Sequence, residues 1–380
     1  MRVAILTNIE SPYRTPLFNA VADRLGGELL VVCAGEREPL RFWQHQAVQR
    51  RFYVRVLPGL HFSWLRWEWS LHLNWGLGKT LRSFDPEVLV IGGYDQPLYW
   101  QGLWYARRRR IPTVLWYESW QESARARRGP VFALKNFFVR YTTLGLAFGT
   151  LAAAWLRQIH GGSYPIVITL NTVDMDFFRK QAWVFRQSPE FALWRATYPS
   201  LLLLYVGSFA RRKNPVVVLE ALRLLQNPEI GLLLIGAGPQ ETELRVLTRE
   251  YGLENAVFFE GYRQQWELPR FYALADVLLL PSLREVWGLV VNEALAAGLY
   301  VLCSTKVAAG HDMIQPGWNG DLFEPTDVEQ LAHLLQRVRN NLAALRERRG
   351  AISEHACREF SIERAAERFV EGIQLARQSQ

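Results

Sequence analysis

The chain has 380 residues, 49% of them apolar, which is too long for one ordinary core and too apolar for a disordered chain. Its net charge of +8 is uneven: residues 1–190 hold 24 Lys/Arg against 14 Asp/Glu, and residues 191–380 hold 20 against 22. The three scattered cysteines, Cys33, Cys303 and Cys357, rule out a disulfide framework and a cysteine zinc site, and point to a reducing, cytoplasmic setting.

Short β-rich runs alternate with helical patterns along the chain. In the first half the predicted strands are VAILTN from Val3, LLVVCA from Leu29, VLVIGG from Val88, TVLWY from Thr113 and IVITL from Ile166. The second half offers LLLLYVG from Leu201, GLLLIG from Gly231, AVFFEG from Ala256, VLLLPS from Val277 and LYVLCS from Leu299. These runs show no polar alternation, so both faces of each strand are buried, as in parallel sheets covered by helices. Two sets of five predict an α/β protein of two Rossmann-like, doubly wound domains facing each other across a cleft. The expected division is 1–180 and 181–359, with periodicity lost between about 175 and 200. A C-terminal helix over 360–377, carrying Ile362, Ala365, Ala366, Phe369, Ile373 and Ala376 on one face, is expected to return to the first domain.

Two segments are less regular. Residues 41–75 are rich in aromatics and predict one strand, Phe52–Leu57, and a loop. The apolar stretch Leu144–Leu156 is too short to span a bilayer, and the N-terminal apolar run is too short for a signal peptide. Eleven of the 15 tryptophans precede residue 190, in the basic half. That pairing suits an anionic membrane surface, with the plainer alternative a solvated basic surface over a tryptophan-rich core. No helix-turn-helix, RNP or zinc pattern supports a nucleic-acid partner.

Ligands of doubly wound sheets bind where strands end, so the residues after the strands matter most. After the first strand of the second half come Arg211, Arg212 and Lys213, ahead of a helix starting near Pro215. Three cations beside a helix start form an anion site, or else an exposed basic turn. Gly236-Ala237-Gly238 lacks the third glycine of a dinucleotide fingerprint and reads as a tight turn. The stretch REVWGLVVNEALAAG, Arg284–Gly298, carries Glu285 and Glu293 around Trp287, Gly288 and Leu289. A glycine at a helix start lets a ligand approach the backbone, whose first amides lack helical acceptors. Two carboxylates around such a turn suit a ligand with hydroxyls at both ends and phosphate between, as in a sugar nucleotide. The plainer alternatives are a dipole-favoured charge for Glu285 and a solvated helix face for Glu293.

These residues, with YVGSFARRKN, LLIGAGPQETEL, FFEGYRQQWELPRFYALADVLLLPS and WNGDLFEP, resemble the family 4 glycosyltransferases of the GT-B fold. SPYRTPLFNAVA, Glu118-Ser119 and ITLNTVD resemble members that build bacterial polysaccharides and glycolipids. The resemblance implies retaining transfer of a sugar from a nucleoside diphosphate sugar to an acceptor hydroxyl. Glu285, Lys213 and Arg212 would be catalytic. Gly207, Ser208, Arg211, Gly261, Tyr262, Trp287, Gly288, Leu289 and Glu293 would bind the donor, and Tyr13, Arg14 and Glu118 would lie on the acceptor side. Ser208 stands where the family usually has an arginine, and Glu118 lies where many members have a histidine. No metal ligand set or other cofactor is expected. The expected partners are a nucleotide sugar, a lipid-linked or oligosaccharide acceptor and an anionic membrane surface on its cytoplasmic face. A sugar-nucleotide epimerase and a non-catalytic nucleic-acid binder are the alternatives.

Overall fold

The computed structural model describes residues 1–36, 49–64, 69–124 and 126–379. Residues 41–48 and 65–68 of the aromatic stretch, and Arg125 of the arginine run, lie outside the described residues. The chain divides into two units, Met1–Val173 with Ile362–Gln380, and Asp174–Ser361.

The first unit contains β1 (Arg2–Thr7), α1 (Thr15–Leu25), β2 (Glu28–Cys33), β3 (Tyr53–Val56), β4 (Gly59–Trp64), β5 (Trp69–Asn74), α2 (Leu77–Phe84), β6 (Val88–Ile91), α3 (Pro97–Arg109), β7 (Thr113–Tyr117), α4 (Pro130–Arg140), β8 (Leu144–Ala147), α5 (Thr150–His160) and β9 (Ile166–Ile168). Seven strands form a parallel sheet in the order β3-β2-β1-β6-β7-β8-β9. The expected loop after β3 contains instead an antiparallel hairpin, β4–β5. The stretch 144–156 is not one element. It splits at Gly149 into the buried strand β8 and helix α5.

The second unit contains α6 (Met175–Arg186), α7 (Pro189–Arg195), β10 (Leu201–Val206), α8 (Val216–Leu225), β11 (Ile230–Ile235), α9 (Glu241–Glu250), β12 (Val257–Gly261), α10 (Leu268–Leu274), β13 (Val277–Leu280), α11 (Leu289–Ala296), β14 (Tyr300–Ser304), α12 (Ala308–Met313), β15 (Gly320–Phe323), α13 (Val328–Asn340), α14 (Leu342–Glu347) and α15 (Arg349–Glu359). Its six strands are parallel in the order β12-β11-β10-β13-β14-β15. Numbered from β10 this is 3-2-1-4-5-6, so the order reverses between β10 and β13. The stretch expected to lose its periodicity is helical. Met175, Phe178 and Ala182 of α6 are buried one turn apart, and α6 packs on α10, α11 and α15. The unit boundary therefore falls before α6, at Val173, and not at 180.

The last helix, α16 (Ile362–Gln378), belongs to the first unit and packs on α1 and the β6–β9 strands. It buries Ala365, Ala366, Phe369, Val370, Ile373 and Ala376, with Phe369 edge-on to Trp116 at 5.2 Å. A side chain on Gly372 would come within 3.1 Å of Leu146, so the helix lies close on the sheet.

At the amino edge of the second sheet, Asp276 is a buried hub. Its carboxylate accepts from Leu202 N at 2.9 Å, from Arg346 Nε at 2.8 Å, from Arg195 at 3.2 Å and from Arg349. Burial pushes its carboxyl up, but the arginines and the Leu202 amide outweigh it and hold it below the ordinary range. Asp276→Asn leaves clustered guanidinium groups without their counter-charge. It is expected to cost about 3–5 kcal/mol of stability, read from urea unfolding; a midpoint like the wild type's would contradict this role.

Candidate active site

Two loops flank the point where the second sheet reverses. The first follows β10. Its Arg211–Lys213 segment makes a 3₁₀ turn closed by Asn214 in the left-handed region, at φ 54°. The second follows β13 and runs into α11. One backbone bond joins the two, Leu283 N donating to Arg212 O at 2.8 Å, and Glu285 N donates to Lys306 O, in the loop after β14, at 3.0 Å.

Across this junction Lys213 Nζ donates to Glu285 Oε2 in an ion pair whose two side chains are both largely buried. Burial pushes the Glu285 carboxyl up, but Lys213, Arg212 and the Val286 amide hold it below its ordinary value. Tyr205, buried beneath, donates its hydroxyl to Ser208 O at 2.8 Å. Its pKa is raised by burial and then by the Glu285 charge. The site thus presents an ionised carboxylate and a cation at the carboxyl end of β10 and β13.

Gly288 begins α11 at φ 97°, a left-handed conformation that suits glycine. A Cβ there would meet Leu280 Cδ2 at 2.9 Å and Val307 Cγ1 at 3.1 Å. Beside close ligand approach, glycine at this position has a backbone reason and a packing reason. Trp287 is buried, and its indole donates to Asn292 Oδ1 at 3.0 Å, which fixes the turn into the helix.

Glu293 does not lie on a solvated helix face. It is buried on α11 and accepts from the Tyr272 hydroxyl of α10 at 2.6 Å. Of the other donor-side residues, Gly207 donates to Ile235 O at 3.0 Å, Ser208 and Arg211 are exposed, and Gly261 stands at φ 69° beside the half-exposed Tyr262. Gly236 and Gly238 pack the β11 loop against the β10 loop: a Cβ on Gly238 would lie 2.6 Å from Phe209 O.

In the first unit, Arg14 sits at the start of α1 and Glu118 just after β7. The fold brings them together at 3.9 Å, and Arg14 also donates to Asn171 Oδ1 at 3.2 Å. Its guanidinium lies 4.4 Å from the Trp116 ring centroid and 4.7 Å from that of Phe148. Burial lowers its pKa to about 10, with Glu118 opposing. Tyr13 is half-buried in the turn before α1. Tyr272, bonded to Glu293, and Asn171, bonded to Arg14, join these sites without a sequence signal of their own. Among the described residues no group of three or more His, Cys, Asp or Glu side chains is placed to hold a metal ion. None of the helices described is long and apolar enough to cross a membrane.

Residues 195–356 match the family model of glycosyl transferases group 1. The sulfoquinovosyl transferase SQD2 of Arabidopsis thaliana is 34% identical over 347 residues, 83% of this chain and 60% of that protein. The D-inositol 3-phosphate glycosyltransferase of Thermomonospora curvata is 30% identical over 202 residues, 50% of this chain and 47% of that one. The chain thus spans about half the length of the curated relatives it matches. Among solved structures, Anabaena HepE in complex with UDP superposes with a TM-score of 0.74 at 15% identity, covering 99% of this chain and 100% of that one. The sucrose-phosphate synthase of Thermosynechococcus elongatus gives 0.72 at 20% identity, covering 99% and 98%. The fold is therefore GT-B, with two Rossmann-like units.

Removing the cation tests the electrostatics directly. In the wild type the Glu285 carboxyl is held below its ordinary value of 4.5. The pair's stabilisation is then present above that pH and lost as pH falls through the depressed folded value. In Lys213→Met burial dominates, the carboxyl rises, and stability is instead lost as pH rises past about 4.5. Urea midpoints between pH 3 and 7 measure the difference; parallel curves for the two proteins would contradict the coupling.

Proposed function

We propose that the protein is a retaining glycosyltransferase that moves a sugar from a nucleoside diphosphate sugar to a hydroxyl of a lipid-linked saccharide. The observation that carries this reading is the buried Lys213–Glu285 pair at the reversal point of the second sheet, beside the amides that open α11. The group 1 match over residues 195–356 supports transfer over epimerisation. UDP in the HepE complex, on the same fold, supports a nucleotide donor.

In this reading the hard step is cleavage of the bond from the anomeric carbon to the phosphate oxygen. The electron pair leaves with the diphosphate. Lys213, Arg212 and Arg211, with the first amides of α11, stabilise that charge where it develops. Glu285 accepts from hydroxyls of the donor sugar and keeps Lys213 in place. The backbone at Trp287, Gly288 and Leu289 holds sugar and diphosphate, with Gly207 and Ser208 on the β10 side. Glu293, positioned by Tyr272, receives the ribose, and Gly261 with Tyr262 flanks the base. The acceptor hydroxyl attacks from the leaving-group face, and its proton passes to a departing phosphate oxygen. Because cationic side chains and amides neutralise the diphosphate, transfer proceeds without a metal. Tyr13, Arg14 and Glu118 orient the acceptor. The acceptor is held at the cytoplasmic face of a membrane, where this chain works as a peripheral protein.

A thermal-shift panel of UDP-, GDP-, ADP- and CDP-sugars should reveal one nucleotide class that raises the melting temperature, because ligand bound to the folded state stabilises it. Glu285→Gln keeps the shape and removes the charge. It is expected to lower turnover about 100- to 1,000-fold while the fold persists, and EDTA is expected to leave turnover unchanged. Near-normal turnover in Glu285→Gln would remove Glu285 from the site.

A further inference from the structure

Helix α4 buries a charge and exposes a stripe of apolar residues. Its only ammonium, Lys135, is buried with no hydrogen-bond partner among the described residues. It rests against the rings of Tyr94, Tyr117 and Trp155, 5.1–5.2 Å from their centroids. Phe138 and Val139 are buried on the same side, while a second apolar stripe faces outward: Val131, Leu134 and Phe137 are 59%, 54% and 39% exposed. A helix on a globular surface ordinarily has one apolar face, turned to the core, and shows its charges on the other.

The stripe does not stand alone. Phe137 stacks on Trp100 of α3 at 6.3 Å and packs on Tyr141 at 4.5 Å. Arg107, near the end of α3, lies 4.1 Å above the Tyr141 ring. These contacts join α3 and α4 into one face, with Trp104 half-exposed on α3. Arginines rim it: Arg107–Arg110 at the end of α3, Arg127 and Arg128 before α4, and Arg140 at its end, all exposed. Neither 97–110 nor 126–141 contains an acidic residue.

We propose that this α3–α4 face docks the protein on an anionic lipid bilayer. The apolar stripe enters the boundary between headgroups and acyl chains, Trp104 and Tyr141 sit at headgroup depth, and the arginines meet lipid phosphates. Charge selects this occupant. A second copy would set the same arginines against each other, and a neutral partner gives them nothing to pair with. The inference deepens the reading of a lipid-linked acceptor. Its test contains no sugar nucleotide, so a protein that turns over donor but fails to dock loses only the docking face.

The test is flotation of the full chain with vesicles of phosphatidylcholine alone, or with about one third phosphatidylglycerol. The protein is expected to float with the anionic vesicles at low salt, to stay down with the neutral ones, and to be released by about 0.5 M salt as the charges are screened. L134D/F137D is expected to abolish flotation, and R127Q/R128Q to weaken it by about fivefold per arginine removed. Leu134 and the two arginines are exposed and make none of these ring contacts, so R127Q/R128Q and the single L134D, also expected to weaken flotation, should melt like the wild type. Trp183→Asp, at an exposed apolar site on α6 of the other unit, is expected to float normally. Failure of the wild type to float with anionic vesicles, or flotation of L134D/F137D equal to wild type, would overturn the proposal. So would a dimer in sedimentation velocity that L134D/F137D dissolves without any flotation.

Discussion

A carboxylate taken out of water must find a counter-charge, and Glu285 finds Lys213. The loop that carries Lys213, residues 207–215, holds no carboxylate of its own. The pair exists because the sheet sets β10 beside β13, although more than seventy residues separate the two partners in sequence. Leu283 bonded to the Arg212 carbonyl then ties the two loops to each other, and Glu285 bonded to that of Lys306 ties the second to the loop after β14. An ionised acid and a cation held in a partly desolvated place form a preorganised polar surface, and such a surface does not have to reorganise when charge appears on a ligand.

The two edges of the second sheet divide the labour. At the amino edge Asp276 gathers three arginines and the Leu202 amide, fastening α7, α14 and α15 to the strands. At the carboxyl edge the charges face a place where a ligand can arrive. Both clusters perturb the carboxyl they surround in the same direction, against the upward push of burial. Perturbation alone therefore does not separate a structural ion cluster from a binding one; position on the sheet does.

The parallel strands were legible because strands buried on both faces leave continuous apolar runs, as LLLLYV does. The elements that escaped were short or merged. β8 has four residues and runs through Gly149 straight into the alanine-rich α5, so the two read as one stretch. β15, GDLF, carries a polar residue in a four-residue strand. The hairpin β4–β5 alternates histidine and serine with apolar residues, which hid it among loops. In the candidate site, Glu285 and Lys213 could be found because each follows a strand directly. Tyr272 could not, because its partner Glu293 lies on another helix and only packing shows the hydroxyl aimed at the carboxylate. Lys135 escaped for a similar reason, since a lysine in a helical pattern reads as a solvated one until the rings around it are seen.

Helix α16 carries a consequence for how the chain is made. The first unit is interrupted: its sheet closes with β9, yet the helix covering Leu144, Leu146 and Val167 begins only at Ile362. On the ribosome the intervening residues 174–361 must be synthesised before that cover exists, roughly 10–40 s at ordinary elongation rates. The second unit, contiguous in sequence, can finish folding first, although it is translated later. For that interval the nascent first unit shows bare leucine and valine on one flank of its sheet.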